Sequence, residues 1–275
     1  MKALLFATVM FSLSVNAKTL TIAVIDTGFD MSSKWPNAKA NKLAKPKICK
    51  FGHYDFAFNT SQITDKHGHG THIAGLIAQG NEDVDYCLVI MNYYSAKEDA
   101  DNLSKALLAY RRAINIKVDV INMSGGGKEY SAEECSLIKE ALDNNIEVVA
   151  AAGNEGSNLD SSPYYPALCD PRVKVVMGTY KDGTRVRSSN YSTAKYDLYK
   201  MQGSNIMSLA PNDSYALMTG TSQATAQLTS KVVNELSKYK PLKYVKKCAF
   251  NYVGEMVCTV NKGIINKQLN LEAYR

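Results

Sequence analysis

Residues 19–28 read TLTIAVIDTG, a continuous apolar and β-branched run that closes on Asp26, Thr27 and Gly28. That pattern predicts a buried strand followed by a turn. Similar runs occur at residues 47–51, 85–93 (DYCLVIMNY), 117–123 (KVDVINM), 147–152 (EVVAAA) and 173–179 (VKVVMGT). Helical stretches fall between them, at residues 71–79, 100–116, 132–144 and 222–238. Strands that alternate with helices and read as solid apolar runs imply a parallel sheet covered on both faces. The predicted fold is therefore α/β, a three-layer, doubly wound and mostly parallel sheet with helices on both sides. In such sheets the working residues lie in loops beyond the carboxyl ends of the strands.

The bulk composition is that of a folded domain. The chain has 275 residues, of which 45% are hydrophobic and 21% charged, so disorder as the main state is excluded. A formal net charge of +6 is mild. Lys238, Lys240, Lys243, Lys246 and Lys247 cluster, but they read as a solvated helix end and loop, and no nucleic-acid partner is expected. At the start, Lys2, an apolar run over residues 3–13 and the small-residue site Val15, Asn16 and Ala17 read as a signal peptide over residues 1–17. The run falls short of the roughly 20 residues that a membrane helix needs, and no later segment is long and apolar enough to span a bilayer. A secreted or periplasmic protein is expected, with residues 18–275 as one domain and no cofactor required. Export fits the even count of six cysteines. Cys248 and Cys258, which flank a short stretch containing Gly254, are the first choice for a pair.

Four short segments could carry chemistry. Asp26, Thr27 and Gly28 close the first strand; His67, Gly68, His69, Gly70, Thr71 and His72 open a helix. Ala151, Ala152, Gly153 and Asn154 end a strand, and Gly220, Thr221 and Ser222 open the long last helix. A serine hydroxyl needs an adjacent base to become a nucleophile. Histidine can be that base, and a carboxylate fixes its tautomer and stabilises the imidazolium. A serine at a helix N-terminus also has unpaired backbone N–H groups beside it, suited to an oxyanion. The Asn154 amide can add a second donor.

These segments resemble the subtilisin-like serine proteases, the subtilases, in chain order Asp, His, Ser. The aspartate block is matched by Ile25-Asp26-Thr27-Gly28 and the histidine block by His69-Gly70-Thr71-His72-Ile73-Ala74-Gly75. Gly220-Thr221-Ser222 and Ala151-Ala152-Gly153-Asn154 match the serine and oxyanion blocks. The resemblance implies a serine endopeptidase with Asp26, His69 and Ser222 as triad and Asn154 as oxyanion donor. It further implies that Ser124, Gly125 and Gly126 pair with an extended polypeptide substrate as an added strand. Ser124, Gly125 and Gly126 on one side and Ala151, Ala152 and Gly153 on the other would wall the pocket for the residue before the cleaved bond. Tyr164 would be its floor, a bulky ring that narrows the pocket. A monomer is expected. Structural calcium is a habit of the family, but no site can be assigned; Asp30, Asp55 and Asp65 read as loop carboxylates.

Three features depart from the family pattern. Gln223 stands where the family has Met, and its amide needs partners if buried; Ala226 stands where the family has Pro and suits a helix. The first strand begins almost at Ala17, so no inhibitory folding segment is expected between leader and domain. Two other chemistries share parts of this pattern. His67, His69 and His72 have the spacing of a zinc motif, but Thr71 stands where that motif wants Asp and His53 is the only further histidine. Asp-Thr-Gly also begins aspartic-protease motifs, which need a second carboxylate copy that the chain lacks. From a different class, an inactive binding or regulatory module on the same fold is the alternative.

Overall fold

A computed structural model describes residues 19–97, 100–238, 246–250, 256–260 and 269–275. The signal-peptide reading of residues 1–17 lies outside the described residues. The chain divides into two compact units, one of them Thr19–Lys238 with Gln268–Arg275. In the other, Lys246–Phe250 and Met256–Val260 form a two-stranded antiparallel sheet whose register sets Cys248 opposite Cys258; a bond between their side chains lies outside the described residues.

The larger unit is built on seven strands: β1 (Leu20–Asp26), β2 (Tyr54–Asp55), β3 (Tyr86–Asn92), β4 (Val120–Met123), β5 (Glu147–Ala151), β6 (Lys174–Thr179) and β7 (Tyr199–Gln202). All pair in parallel, in the order β2-β3-β1-β4-β5-β6-β7. Helices α1 (His69–Ala78), α2 (Asn102–Asn115), α3 (Ala132–Asp143) and α4 (Thr221–Lys238) cover it. Successive strand side chains point to opposite faces, and β1 shows the consequence. Ile22 and Val24 share one core with Ile73 and Ile77 of α1 and Leu228 and Val232 of α4. Ala23 and Ile25 share the other with Ala109 and Tyr110 of α2 and Leu137 and Ile138 of α3. All four β1 side chains are fully buried, the isoleucines stabilising the fold by about 1.5–3 kcal/mol each. This double burial is why the strand has no polar alternation.

The chain order reverses around β1, which has β3 on one side and β4 on the other. Loops leaving the carboxyl ends of β1, β4 and β5 therefore open at one switch point, where ligands bind in such sheets. Asp26, Ser124 and Asn154 all lie there.

Two expected strand boundaries are corrected. Residues 47–51 make only a single parallel bridge, Ile48 to Leu88. Cys49 is tied there to Cys87 by a disulfide, and Gly52 follows with φ +88°, which ends the extended run. Residues 117–119 belong to the turn after α2: Lys117 has φ +55° and the Val118 N–H returns to Ala113 O, so β4 starts at Val120. The antiparallel pair β8 (Ile206–Ala210) and β9 (Ser214–Met218) was not anticipated. A second disulfide joins Cys135 of α3 to Cys169.

Candidate active site

Asp26 ends β1 and is 3% exposed. Its Oδ1 accepts the Thr27 N–H at 2.8 Å and the His69 Nδ1–H at 2.7 Å. The imidazole is thus held in the tautomer that leaves Nε2 free to take a proton. Burial alone would lower the His69 pKa; the Asp26 charge, the hydrogen bond to it and the charge of Asp65 outweigh that effect and hold it above the ordinary value. His69 is the first residue of α1, and the turn before it demands glycine, since Gly68 adopts φ +90°. Gly70 permits a still closer approach, because a Cβ there would stand 2.2 Å from the Gly28 carbonyl oxygen.

Ser222 lies in the first turn of α4. Its hydroxyl donates to the Ser124 carbonyl at 2.8 Å, and among the described residues no hydrogen bond joins it to His69. Ser124 follows β4, whose last pair with β1 is Met123 beside Ile25, so serine and aspartate sit at neighbouring strand ends. Asn154 lies beyond β5, the next strand. Its Oδ1 accepts the Thr221 N–H at 2.9 Å and the Thr221 hydroxyl at 3.2 Å, which leaves the Nδ2 donors beside the start of α4.

The two glycine-bearing segments enclose Tyr164. A Cβ on Gly126 would stand 2.7 Å from Tyr164 Cε1, and one on Gly153 would stand 2.9 Å from Cε2. The ring therefore fills the gap between the segment Ser124, Gly125, Gly126 and the segment Ala151, Ala152, Gly153. Tyr165, next in sequence, pairs in both directions with Gly127 at 2.9 and 2.8 Å, which fixes the first segment against the loop that carries the ring.

A model of the subtilase family matches residues 17–245. The chain belongs to the subtilase family. It is 29% identical over 229 residues to the major intracellular serine protease of Bacillus subtilis (strain 168), covering 80% of this chain and 69% of that protein. To subtilisin amylosacchariticus of Bacillus subtilis subsp. amylosacchariticus it is 31% identical over 245 residues, covering 85% of this chain but only 59% of the relative. A cold adapted subtilisin-like serine proteinase of known structure superposes with a TM-score of 0.66 at 25% identity, covering 80% of this chain and 76% of the other. A mutant of the protease domain of PatA has the same fold, with a TM-score of 0.66 at 21% identity over 82% of each chain.

The other histidines of this subtilase have separate tasks. His72 is fully buried, and its Nε2 donates to the carbonyls of Ile206 and Ala216 at 3.1 Å each, pinning β8 and β9 to α1. Burial pushes its pKa down, so it stays neutral. His53 uses both ring nitrogens on the backbone of Cys49 and Ile90. His67 stacks edge-on with Tyr94. No metal-binding cluster exists among the described residues. Gln223 is 2% exposed, and among the described residues its amide donates only to the Met218 sulfur at 3.9 Å. Of the loop carboxylates, Asp30 accepts from Ser32 and Ser33, and Asp55 from Phe58 N–H and Asn92. Asp65, read from sequence as a loop carboxylate, and Thr27 of the aspartate block both reach the His69 turn.

Proposed function

We propose that this subtilase is an exported serine endopeptidase, acting as a monomer on extended polypeptides. The observation that carries the reading is the 2.7 Å bond from His69 to a buried Asp26, set beside a serine in the first turn of α4. Ser222 turns its hydroxyl from the Ser124 carbonyl to His69 Nε2 as substrate enters. The oxygen then attacks the peptide carbonyl carbon while Nε2 takes the proton, and Asp26 stabilises the resulting imidazolium. The carbonyl oxygen becomes an oxyanion that accepts from Asn154 Nδ2 and the Ser222 N–H. Collapse expels the amine, which takes the proton from Nε2 and leaves an acyl-enzyme. Water, deprotonated by His69, releases the acid.

Ser124, Gly125 and Gly126 would hold the substrate main chain as an added strand. Tyr164 would leave room only for a small side chain before the cleaved bond. Export is supported by the disulfides Cys49–Cys87 and Cys135–Cys169, since such bonds persist in oxidising compartments. The test is reaction with a fluorophosphonate together with a proteome-wide cleavage profile, wild type against Ser222→Ala. Labelling at Ser222 and cleavage after Ala in preference to Phe are expected, both lost in the variant. Folded wild-type protein that does not label would favour the binding-module alternative, and a clear preference for Phe would remove Tyr164 from the pocket floor.

A further inference from the structure

The backbone N–H groups of both neighbours of His69 are tied into one buried side-chain network. Asp65, 6% exposed, accepts five hydrogen bonds. Its Oδ1 takes the Thr27 hydroxyl at 3.0 Å, the His67 N–H at 3.1 Å and the Gly68 N–H at 2.7 Å. Its Oδ2 takes the Thr71 N–H at 2.8 Å and the Thr71 hydroxyl at 2.7 Å. The Thr27 oxygen in turn accepts the Gly70 N–H at 2.8 Å. Gly68 and Gly70 are the neighbours of His69, and Thr27 is the neighbour of Asp26.

We propose that Asp65 is a positioning residue of the proteolytic site, locking the end of β1 to the start of α1 so that His69 meets Asp26. The proposal rests on the reading of Asp26, His69 and Ser222 as a triad. Several facts support it beyond the count of bonds. The carboxylate satisfies three of the otherwise orphaned N–H groups at and just before the helix start. Through Thr27 it reaches the strand that carries the orienting acid, so one side chain fixes both partners of the 2.7 Å bond. Every member of the network other than His67 is buried. Such a constraint matters for rate because misplacement by about an ångström can cost on the order of a hundredfold.

The charge of Asp65 acts in the same direction. The groups facing His69 are Asp26 from β1, Asp65 and His67 from the loop, and His72 from its own helix. Of these, the two carboxylates favour the imidazolium that the mechanism forms. Loss of the Asp65 charge therefore lowers the His69 pKa, and any swing of the ring away from Asp26 lowers it further.

The experiment follows the His69 ring by proton NMR through a pH titration, with kcat and KM measured alongside, in wild type, Asp65→Asn, Thr27→Val and Thr27→Ser. In folded Asp65→Asn the His69 midpoint is expected to move to lower pH and kcat to fall about ten- to a hundredfold, with KM changed far less. Thr27→Val is expected to follow in the same sense, and Thr27→Ser, which restores the hydroxyl, to return towards wild type. An unchanged midpoint and kcat in folded Asp65→Asn overturn the proposal. If that variant does not fold, Thr27→Val decides on the same two readouts. The NMR midpoint does not depend on turnover, so it separates this proposal from the triad itself. Full activity in Ser222→Ala would sink the triad and leave the positioning of His69 by Asp65 to be judged by NMR.

Discussion

The two helices that carry His69 and Ser222 begin in opposite ways. At the start of α1, Asp65, Thr27 and Thr71 knit the backbone around His69 with short bonds from buried side chains. At the start of α4 the support is thinner. Asn154 holds Thr221, the Ser222 hydroxyl rests on the Ser124 carbonyl, and Gln223 behind it finds only a thioether. The contrast follows from the proposed roles. A base must keep one tautomer and one orientation through the whole cycle, whereas a nucleophile must turn between its resting partner, the base and the substrate. Rigidity is placed where the geometry has to persist.

The sharpest way to break the contrast is to remove a side chain that holds the start of α4 and, in the proposed mechanism, also meets the oxyanion. Asn154→Ala is expected to lower kcat by about a hundred- to a thousandfold with little change in KM, the loss that follows removal of one oxyanion-hole donor. It also frees the Thr221 N–H, so the variant's melting temperature must be recorded beside its rate. An unchanged kcat would take Asn154 out of the oxyanion hole and leave it as a helix cap.

A second test sharpens the α1 side through pH. In the proposed mechanism His69 must be neutral to accept the Ser222 proton, and its pKa is held above the ordinary histidine value, which is about 6.5. The acid limb of kcat/KM therefore lies at higher pH than a free histidine would give, and below it the rate falls about tenfold per pH unit. The same shift carries a sign for stability. A raised histidine pKa stabilises the fold below the unfolded value, and that contribution is lost as pH rises through the folded value. A limb below the ordinary value would show that Asp26 does not govern His69.

How much of this was legible in the sequence differs between the strands and the site. Strands β1, β3, β5 and β6 were legible because burial on both faces leaves a run of apolar residues with no polar alternation. Strands β8 and β9 were not. IMSLA is buried only over its last three residues and SYALM has no fully buried position, and nothing local separates that from a loop. That Asp26 and His69 meet could be expected because their chemistry dictates residue type and place, at a strand end and at a helix start. Asp65 escaped for the converse reason. A loop carboxylate has no meaning until the fold brings Thr27, Gly68 and Thr71 to it, and the pattern of five bonds exists only in three dimensions.

The smallest expected effect concerns Gln223, and it tests whether the sparse side of the comparison is sparse by need. The side chain is 2% exposed, and a thioether is a weak acceptor for its amide. An amide buried with such a partner costs about 1–3 kcal/mol of desolvation that the bond only partly returns. Methionine has nearly the same length and no donor to satisfy. Gln223→Met is therefore expected to stabilise by about 1 kcal/mol, a rise of roughly 2–4 °C in Tm for a domain of this size, with kcat within about twofold. A fall in Tm would mean that the amide makes a bond essential to the packing of α4. A rise in Tm accompanied by a large loss of kcat would mean instead that the loose support lets Ser222 turn, and that the first turn of α4 has to stay weakly held for the nucleophile to work.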